Sequence, residues 1–396
     1  MQIGLGLSIT SQLRFGTALY AVNSFDPDFV LDFKNSYYRT GGSNSTLSGS
    51  VTHARAGNAT MVDSDGLIKW APHNLQRYSE EFNNSTWIKS GASVTANAAT
   101  APNGELLADL LYPTSVGGLI YDLTPKTDPY KISCFVKSAG FSWVALGTNT
   151  NNADVSWFNL GSGVVGTVGS NMSSSSITSI GDGWYLCSTT TTTAVGGNAQ
   201  MAMWPTDGDG SRDSTPNGTD GLYIWGAHCH KSDLGGMANN PSQPTGLETY
   251  VPTTSSAVYL PRVGHHVYNG SAWVNEGILH ESEARTNLLL NSGTLSTQNV
   301  TVSATPYTLS FTGTGTVTLT GVSTAGPLVG TGTGENNRVN LTFTPTAGTL
   351  TLTVSGTVTN AQAEAGSTPS SYIPTSGSTV TRAAETLTVP AANLPY

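Results

Sequence analysis

Hydrophobic residues in this chain recur at every second position far more often than at every third or fourth. Tyr130, Ile132, Cys134 and Val136 fall on one side of an extended segment, and Lys131, Ser133, Phe135 and Lys137 on the other. Tyr307, Leu309 and Phe311 alternate in the same way with Thr308, Ser310 and Thr312. Residues 316–322 and 339–354 read as Thr-rich strands broken at Thr-Gly or Ala-Gly turns. Met61-Val62-Asp63-Ser64-Asp65-Gly66-Leu67-Ile68-Lys69 reads as strand, Asp-Gly turn and strand, and Tyr268-Asn269-Gly270 as another hairpin tip. Helical periodicity is nearly absent. The pattern predicts an all-β protein made of antiparallel β-sandwich or jelly-roll lobes.

One long phrase occurs twice. The first copy runs from Asn74-Leu75 through Tyr130-Lys131-Ile132-Ser133-Cys134 and Gly226-Ala227-His228-Cys229-His230 to Tyr250-Val251-Pro252-Thr253. The second runs from Asn287-Leu288 through Tyr307-Thr308-Leu309-Ser310-Phe311 and Asn360-Ala361-Gln362-Ala363-Glu364 to Tyr372-Ile373-Pro374-Thr375. Two copies of one β-rich module are expected: a larger lobe at 73–258 and a shorter one at 286–385. A leading region at 1–72, a connector hairpin at 259–285 and a tail at 386–396 complete the chain.

Composition narrows the class. Only 10% of the 396 residues are charged, well below the roughly 25% of an average domain. Gly, Ser, Thr and Asn take their place, as is common in extracellular and particle-borne β-proteins. A formal charge of −9 without a Lys/Arg cluster argues against nucleic acid as a partner. No stretch approaches a membrane-spanning helix. Met1-Gln2-Ile3-Gly4-Leu5 lacks the basic start of a secretory signal, so assembly in the cytoplasm is expected. The three cysteines, Cys134, Cys187 and Cys229, lie in the first copy. Cys134 and Cys229 stand where the second copy has Phe311 and Ala363, which predicts buried apolar roles rather than a disulfide.

His53-Ala54-Arg55-Ala56, Pro261-Arg262-Val263, Gly277-Ile278-Leu279-His280-Glu281, Arg285-Thr286-Asn287-Leu288-Leu289, Ala361-Gln362-Ala363-Glu364-Ala365-Gly366 and Thr381-Arg382-Ala383-Ala384 follow one another in a fixed order. With the Asp65-Gly66 hairpin between the first and second of them, these phrases resemble a family of tailed-phage and gene-transfer-agent virion proteins, the head or tail fibres and spikes with carbohydrate-binding-module-like jelly rolls. The family frame is interrupted between Lys69 and Pro261, where the first lobe sits. The resemblance implies a virion protein that attaches to host-surface glycan or capsule. It also implies that the N-terminal region docks to neighbouring virion proteins.

Candidate chemistry sits mainly in the first copy, which holds Trp87, Trp143, Trp157, Trp184, Trp204 and Trp225. Aromatic rings stack on the C–H faces of sugars, while Asn and Asp take the hydroxyls; tryptophans also fill sandwich cores. Trp184, inside Gly183-Trp184-Tyr185-Leu186-Cys187-Ser188, is expected in the core. Trp143, Trp157 and Trp204 adjoin Asn/Asp/Gly-rich loops and, with Asn151, Asn152 and Asp154, form the candidate carbohydrate site.

Asp207, Asp209, Ser211 and Asp213 place oxygens at alternate positions, as calcium loops do, but Gly218 stands where an EF-hand has its bidentate Glu. A solvated turn is the plainer reading, and a structural calcium is the only cofactor entertained. His228-Cys229-His230 resembles a metal pair, yet its counterparts Gln362 and Glu364 read as ordinary polar strand residues. Glu80, Glu81, Glu105, Asp109, Asp122, Asp154, Asp182 and Asp220 form no paired motif, and no nucleophile elbow is present, so no enzyme is expected.

The expected function is host-glycan recognition by a virion fibre or spike acting as a homo-oligomer, a trimer first and a pentamer second. The alternative is an architectural tail, baseplate or capsid-decorating subunit.

Overall fold

A computed structural model of the chain describes residues 27–122, 129–148, 151–192 and 201–394. The first part of the expected docking region, residues 1–26, lies outside the described residues. The protein is all-β, with antiparallel sheets packed as sandwiches.

Two six-stranded sheets face each other in lobe one. In spatial order the first contains Met172–Gly181, Trp184–Thr191, Tyr130–Ala139, Gly221–Lys231, Ala108–Pro113 and Ala92–Ala99. The second contains Val164–Val168, Val155–Asn159, Trp143–Gly147, Met201–Thr206, Leu119–Asp122 and Ile88–Ser90. Alternation decides what lies between them. Tyr130, Ile132, Cys134 and Val136 from the first sheet meet Ile120, Val144, Leu146, Phe158 and Met203 from the second. Cys187 and Cys229 complete this core as small apolar groups.

The outer faces are covered as well. Phe135, Trp184, Trp225 and Tyr250 make a second apolar layer outside the first sheet, and Trp157 and Trp204 make one outside the second.

Lobe two is smaller. Gln298–Val302, Gly348–Ser355, Thr316–Gly321 and Leu328–Val329 form one sheet, and Val339–Phe343, Tyr307–Gly313 and Val358–Ala365 the other. Tyr307, Leu309 and Phe311 point into its core. Thr308, Ser310 and Thr312 point away from that core yet are buried. Their hydroxyls are satisfied locally: Thr308 Oγ1 donates to the Gly366 carbonyl at 2.8 Å, and Ser310 Oγ accepts from Arg338 at 2.8 Å.

The duplication is physical. Asn74 Nδ2 donates to the Ala227 and Val251 carbonyls at 3.0 and 2.8 Å, while its Oδ1 accepts from Gln76 and Cys229 N–H at 2.9 Å each. Asn287 does the same with Ala361, Ile373, Leu289 and Ala363, at 3.0, 2.8, 3.2 and 3.1 Å. Five residues later, Ser79 Oγ bonds the Tyr250 hydroxyl at 2.8 Å and accepts from Thr253 N at 2.9 Å. Ser292 repeats this with Tyr372 at 2.7 Å and Thr375 at 2.8 Å. A β-bulge follows Ser133 in one lobe and Ser310 in the other. Across from it, Gly226 (φ +65°) and Asn360 (φ +49°) hold the left-handed conformation that the bulge demands. The recurring Asn-Leu and Tyr-x-Pro-Thr words are therefore two ends of one staple, which fixes the opening segment to the last strand through a fully bonded buried amide.

Each lobe is closed by a short ladder between its ends, His73–Asn74 against Val258–Tyr259 and Arg285–Asn287 against Val380–Arg382. Lobe one therefore leaves and rejoins the frame at one point. The frame consists of the hairpins Thr60–Val62/Ile68–Trp70 and Arg262–Tyr268/Trp273–Leu279, with Thr52–Arg55 paired to Glu385–Thr388.

Candidate functional site

The fixed phrases of the frame converge on one buried charge cluster. Arg55 and Arg262 both bond the Glu385 carboxylate, Arg262 through Nε at 3.1 Å and Nη2 at 2.8 Å. Arg262 also reaches Glu281 at 2.7 Å, and Arg382 Nε lies 3.1 Å from the same carboxylate. Glu281 in turn accepts from Ser371 N and Oγ. Burial opposes ionisation of Glu385, but the hydrogen bonds and charge of Arg262 and the Glu281 N–H outweigh it and hold the carboxyl far below its usual range. These residues clasp the frame to lobe two. Arg55, Arg262 and Glu385 are internal, while Glu281 and Arg382 reach the walls of two hollows on either side.

The three candidate tryptophans do come together, on the outer face of one sheet. Ala145 stands between Trp157 and Trp204 in register, and Trp143 is two residues along the same strand. Trp157 and Trp204 are nonetheless buried, at 1% and 2% exposure, and Trp143 is half-buried. Residues 207–213 fold across them. Trp157 Nε1 donates to the Ser211 carbonyl at 2.6 Å, and the Arg212 guanidinium lies 5.5 Å from the Trp204 ring centre. In this arrangement only Trp143 retains ring surface toward solvent.

Asn151 caps the short turn at Asn152–Asp154, and buried Asp154 accepts from Asn171 at 2.6 Å. Asn152 is exposed. Residues 149–150 of that loop lie outside the described residues.

The alternating oxygens of residues 207–213 bond in different directions. Asp207 accepts from Thr215 N and Oγ1 at 3.1 and 2.7 Å, Asp209 from Thr167 N and Oγ1 at 2.7 and 3.1 Å, and Ser211 Oγ from Asp213 N at 3.1 Å. Their role in the structure is to pin the strap over the tryptophans. No group of three or more His, Cys, Asp or Glu is placed to hold a metal among the described residues.

His228 and His230 are buried, with their Nδ1 atoms 3.2 Å apart, so one proton is shared between them. His73 sits against His230, its Nδ1 bonded to the Ala71 carbonyl and its Nε2 accepting from Lys231 N. Burial, reinforced by nearby cations, lowers His73 to about 4 and His228 to about 3. The counterparts Gln362 and Glu364 depart from their reading as ordinary polar strand residues: they are buried in a bonded network that fixes Ser370 and Ile373.

Two hollows were not legible in the sequence. Glu80, Glu81 and Asp109, distant or unremarkable in the chain, line one of about 580 Å³. Asp109 is held there by Phe82 and Asn97 N–H at 2.9 Å each, and Glu80 accepts from the Tyr250 hydroxyl at 2.9 Å. Burial raises the pKa of both acids.

The larger hollow is an open groove of about 830 Å³ between the lobes. Trp70 and Tyr259 line it from the side of the frame and lobe one, and Tyr372 from lobe two. Trp70 Nε1 donates to Asp233 at 2.6 Å, and the Lys231 ammonium lies 4.7 Å from the centre of the same ring. Tyr259 is stacked on His73 at 6.2 Å and 17°, which fixes its orientation. Asn58, Thr375, Ser376 and Ser378 add amide and hydroxyl groups. Neither a scan against protein-family models nor a search of curated proteins finds a match to the chain.

Proposed function

We propose that this chain is a non-enzymatic fibre or spike protein of a tailed-phage or gene-transfer-agent particle, and that it adsorbs to host-surface glycan or capsule. The observation that carries the reading is the inter-lobe groove. It combines an oriented tyrosine ring with amides, hydroxyls and both signs of charge. Sugars need that mixture, a flat apolar face beside donors and acceptors. Affinity per site would be weak, so attachment relies on several copies raising the effective concentration. A homo-oligomer follows, a trimer before a pentamer, docked to neighbouring virion proteins through residues 1–72 and made in the host cytoplasm. No bound metal is required.

The test is a glycan array and a capsule pull-down with the intact oligomer. Retention on host polysaccharide is the expected result. Failure to bind any host surface material would favour the architectural alternative, in which the lobes contact only neighbouring subunits.

A further inference from the structure

A second groove, of about 350 Å³, opens between the connector hairpin and lobe two. Its rim carries the most accessible aromatic pair of the frame, Tyr268 at 37% exposure and Trp273 opposite it, with ring centres 5.4 Å apart. Trp273 is braced from behind. The Asp65-Gly66 turn packs against its indole so closely that a Cβ at Gly66 would collide with the ring, and φ there is +77°. The opposite wall offers exposed Asn336 beside Glu335 and Ser370.

Thr60 and Tyr372 line both this groove and the inter-lobe groove. Thr60 Oγ1 donates to the Tyr372 carbonyl at 2.5 Å, so one hydrogen-bonded contact is the partition between the two. Each volume alone falls within the roughly 300–1,000 Å³ of a small-molecule site. Two such sites sharing a wall, each with its own ring and polar groups, suit a ligand that repeats.

We propose that the grooves on either side of the Thr60–Tyr372 contact are subsites for one extended polysaccharide, which packs against Tyr259 in the first and Tyr268 in the second. The proposal rests on the glycan reading above and adds to it the polymer class and the place of binding. It moves recognition away from the strapped tryptophans of lobe one to the frame between the lobes. A ligand of this kind is read by chain length and repeat, not by a single terminal sugar.

The test uses the full-length oligomer and a panel of bacterial capsular and O-chain polysaccharides, intact and cut to oligosaccharides of graded length. Affinity should rise with length. Tyr259→Ala and Tyr268→Ala should each weaken the long chains by roughly tenfold or more, as aromatic anchors do. The shortest fragments should respond to only one of the two substitutions. Tyr259→Phe, which keeps the ring, should bind normally. If Tyr259→Ala lowers the melting temperature, Ser378→Trp at the exposed rim replaces it as a steric block.

Affinity independent of length, or binding lost with Trp143→Ala but not with the groove variants, overturns the two-groove proposal and leaves the glycan reading standing. Absence of binding to every polysaccharide removes both.

Discussion

The two lobes share a backbone device and differ in what surrounds it. Asn74 and Asn287 make the same four hydrogen bonds, and Ser79–Tyr250 and Ser292–Tyr372 the same hydroxyl pair. Beside that device lobe one carries rings: His73 opposite Tyr259 at its closing ladder, and His228 and His230 on its last strand. Lobe two carries hydroxyls, an amide and a carboxylate at the matching places, with Thr286 opposite Thr381 and then Gln362 and Glu364. Lobe two is also clasped to the frame by buried ions, whereas lobe one rejoins it through rings and a short ladder. One scaffold thus supports two kinds of polar layer, because the staple satisfies the backbone and leaves its neighbours free to vary.

The hardest challenge to this contrast removes the ion clasp. Glu385→Gln leaves Arg55 and Arg262 without their shared charge and should cost about 3–5 kcal/mol. Chemical denaturation followed lobe by lobe should show the transition of lobe two falling and that of lobe one nearly unmoved. The equivalence of the staples is tested by Asn74→Ala and Asn287→Ala. Each exposes a buried ladder end and loses four hydrogen bonds, an expected loss of roughly 3 kcal/mol confined to its own lobe. A matched loss in both lobes from either variant would show that the copies do not fold as separate units.

Acid separates the lobes next. An unfolded histidine binds a proton near pH 6.5, but burial delays this to about 4 for His73 and about 3 for His228. The unfolded state therefore binds more protons as pH falls below 6.5, and lobe one loses stability from there downward. The loss is about 2 kcal/mol per imidazole at pH 5. Glu385, depressed below its ordinary value of 4.5, begins to withdraw its contribution only below that pH. Thermal melts between pH 7 and 5 should lower the transition of lobe one selectively, and His228→Gln with His230→Glu should shrink the loss to the share of His73. The mildest comparison is Tyr250→Phe against Tyr372→Phe, each losing one buried hydroxyl bond worth about 1 kcal/mol. The Tyr250 change should be the larger, since Glu80 also loses a donor.

Period-two alternation at Tyr130–Val136 and Tyr307–Phe311 was enough to read the class and the inward faces, because strand geometry acts on neighbours along the chain. The same local logic exposed the hairpins at Asp65-Gly66 and Asn269-Gly270 and the exchange of Cys134 and Cys229 with apolar residues. It could not say that Phe135, Trp157 and Trp204, on outward faces, would be buried under a second layer. That depends on residues 207–213 and on Tyr250 returning from far along the chain. Nor could it gather Arg55, Arg262, Glu281, Arg382 and Glu385 into one cluster, or set Tyr259 and Tyr372 across a groove. Local periodicity fixes which way a side chain points. What it meets there is decided by contacts between residues far apart in the chain, such as Arg55 and Glu385, 330 positions apart, and only the folded arrangement of sheets brings those about.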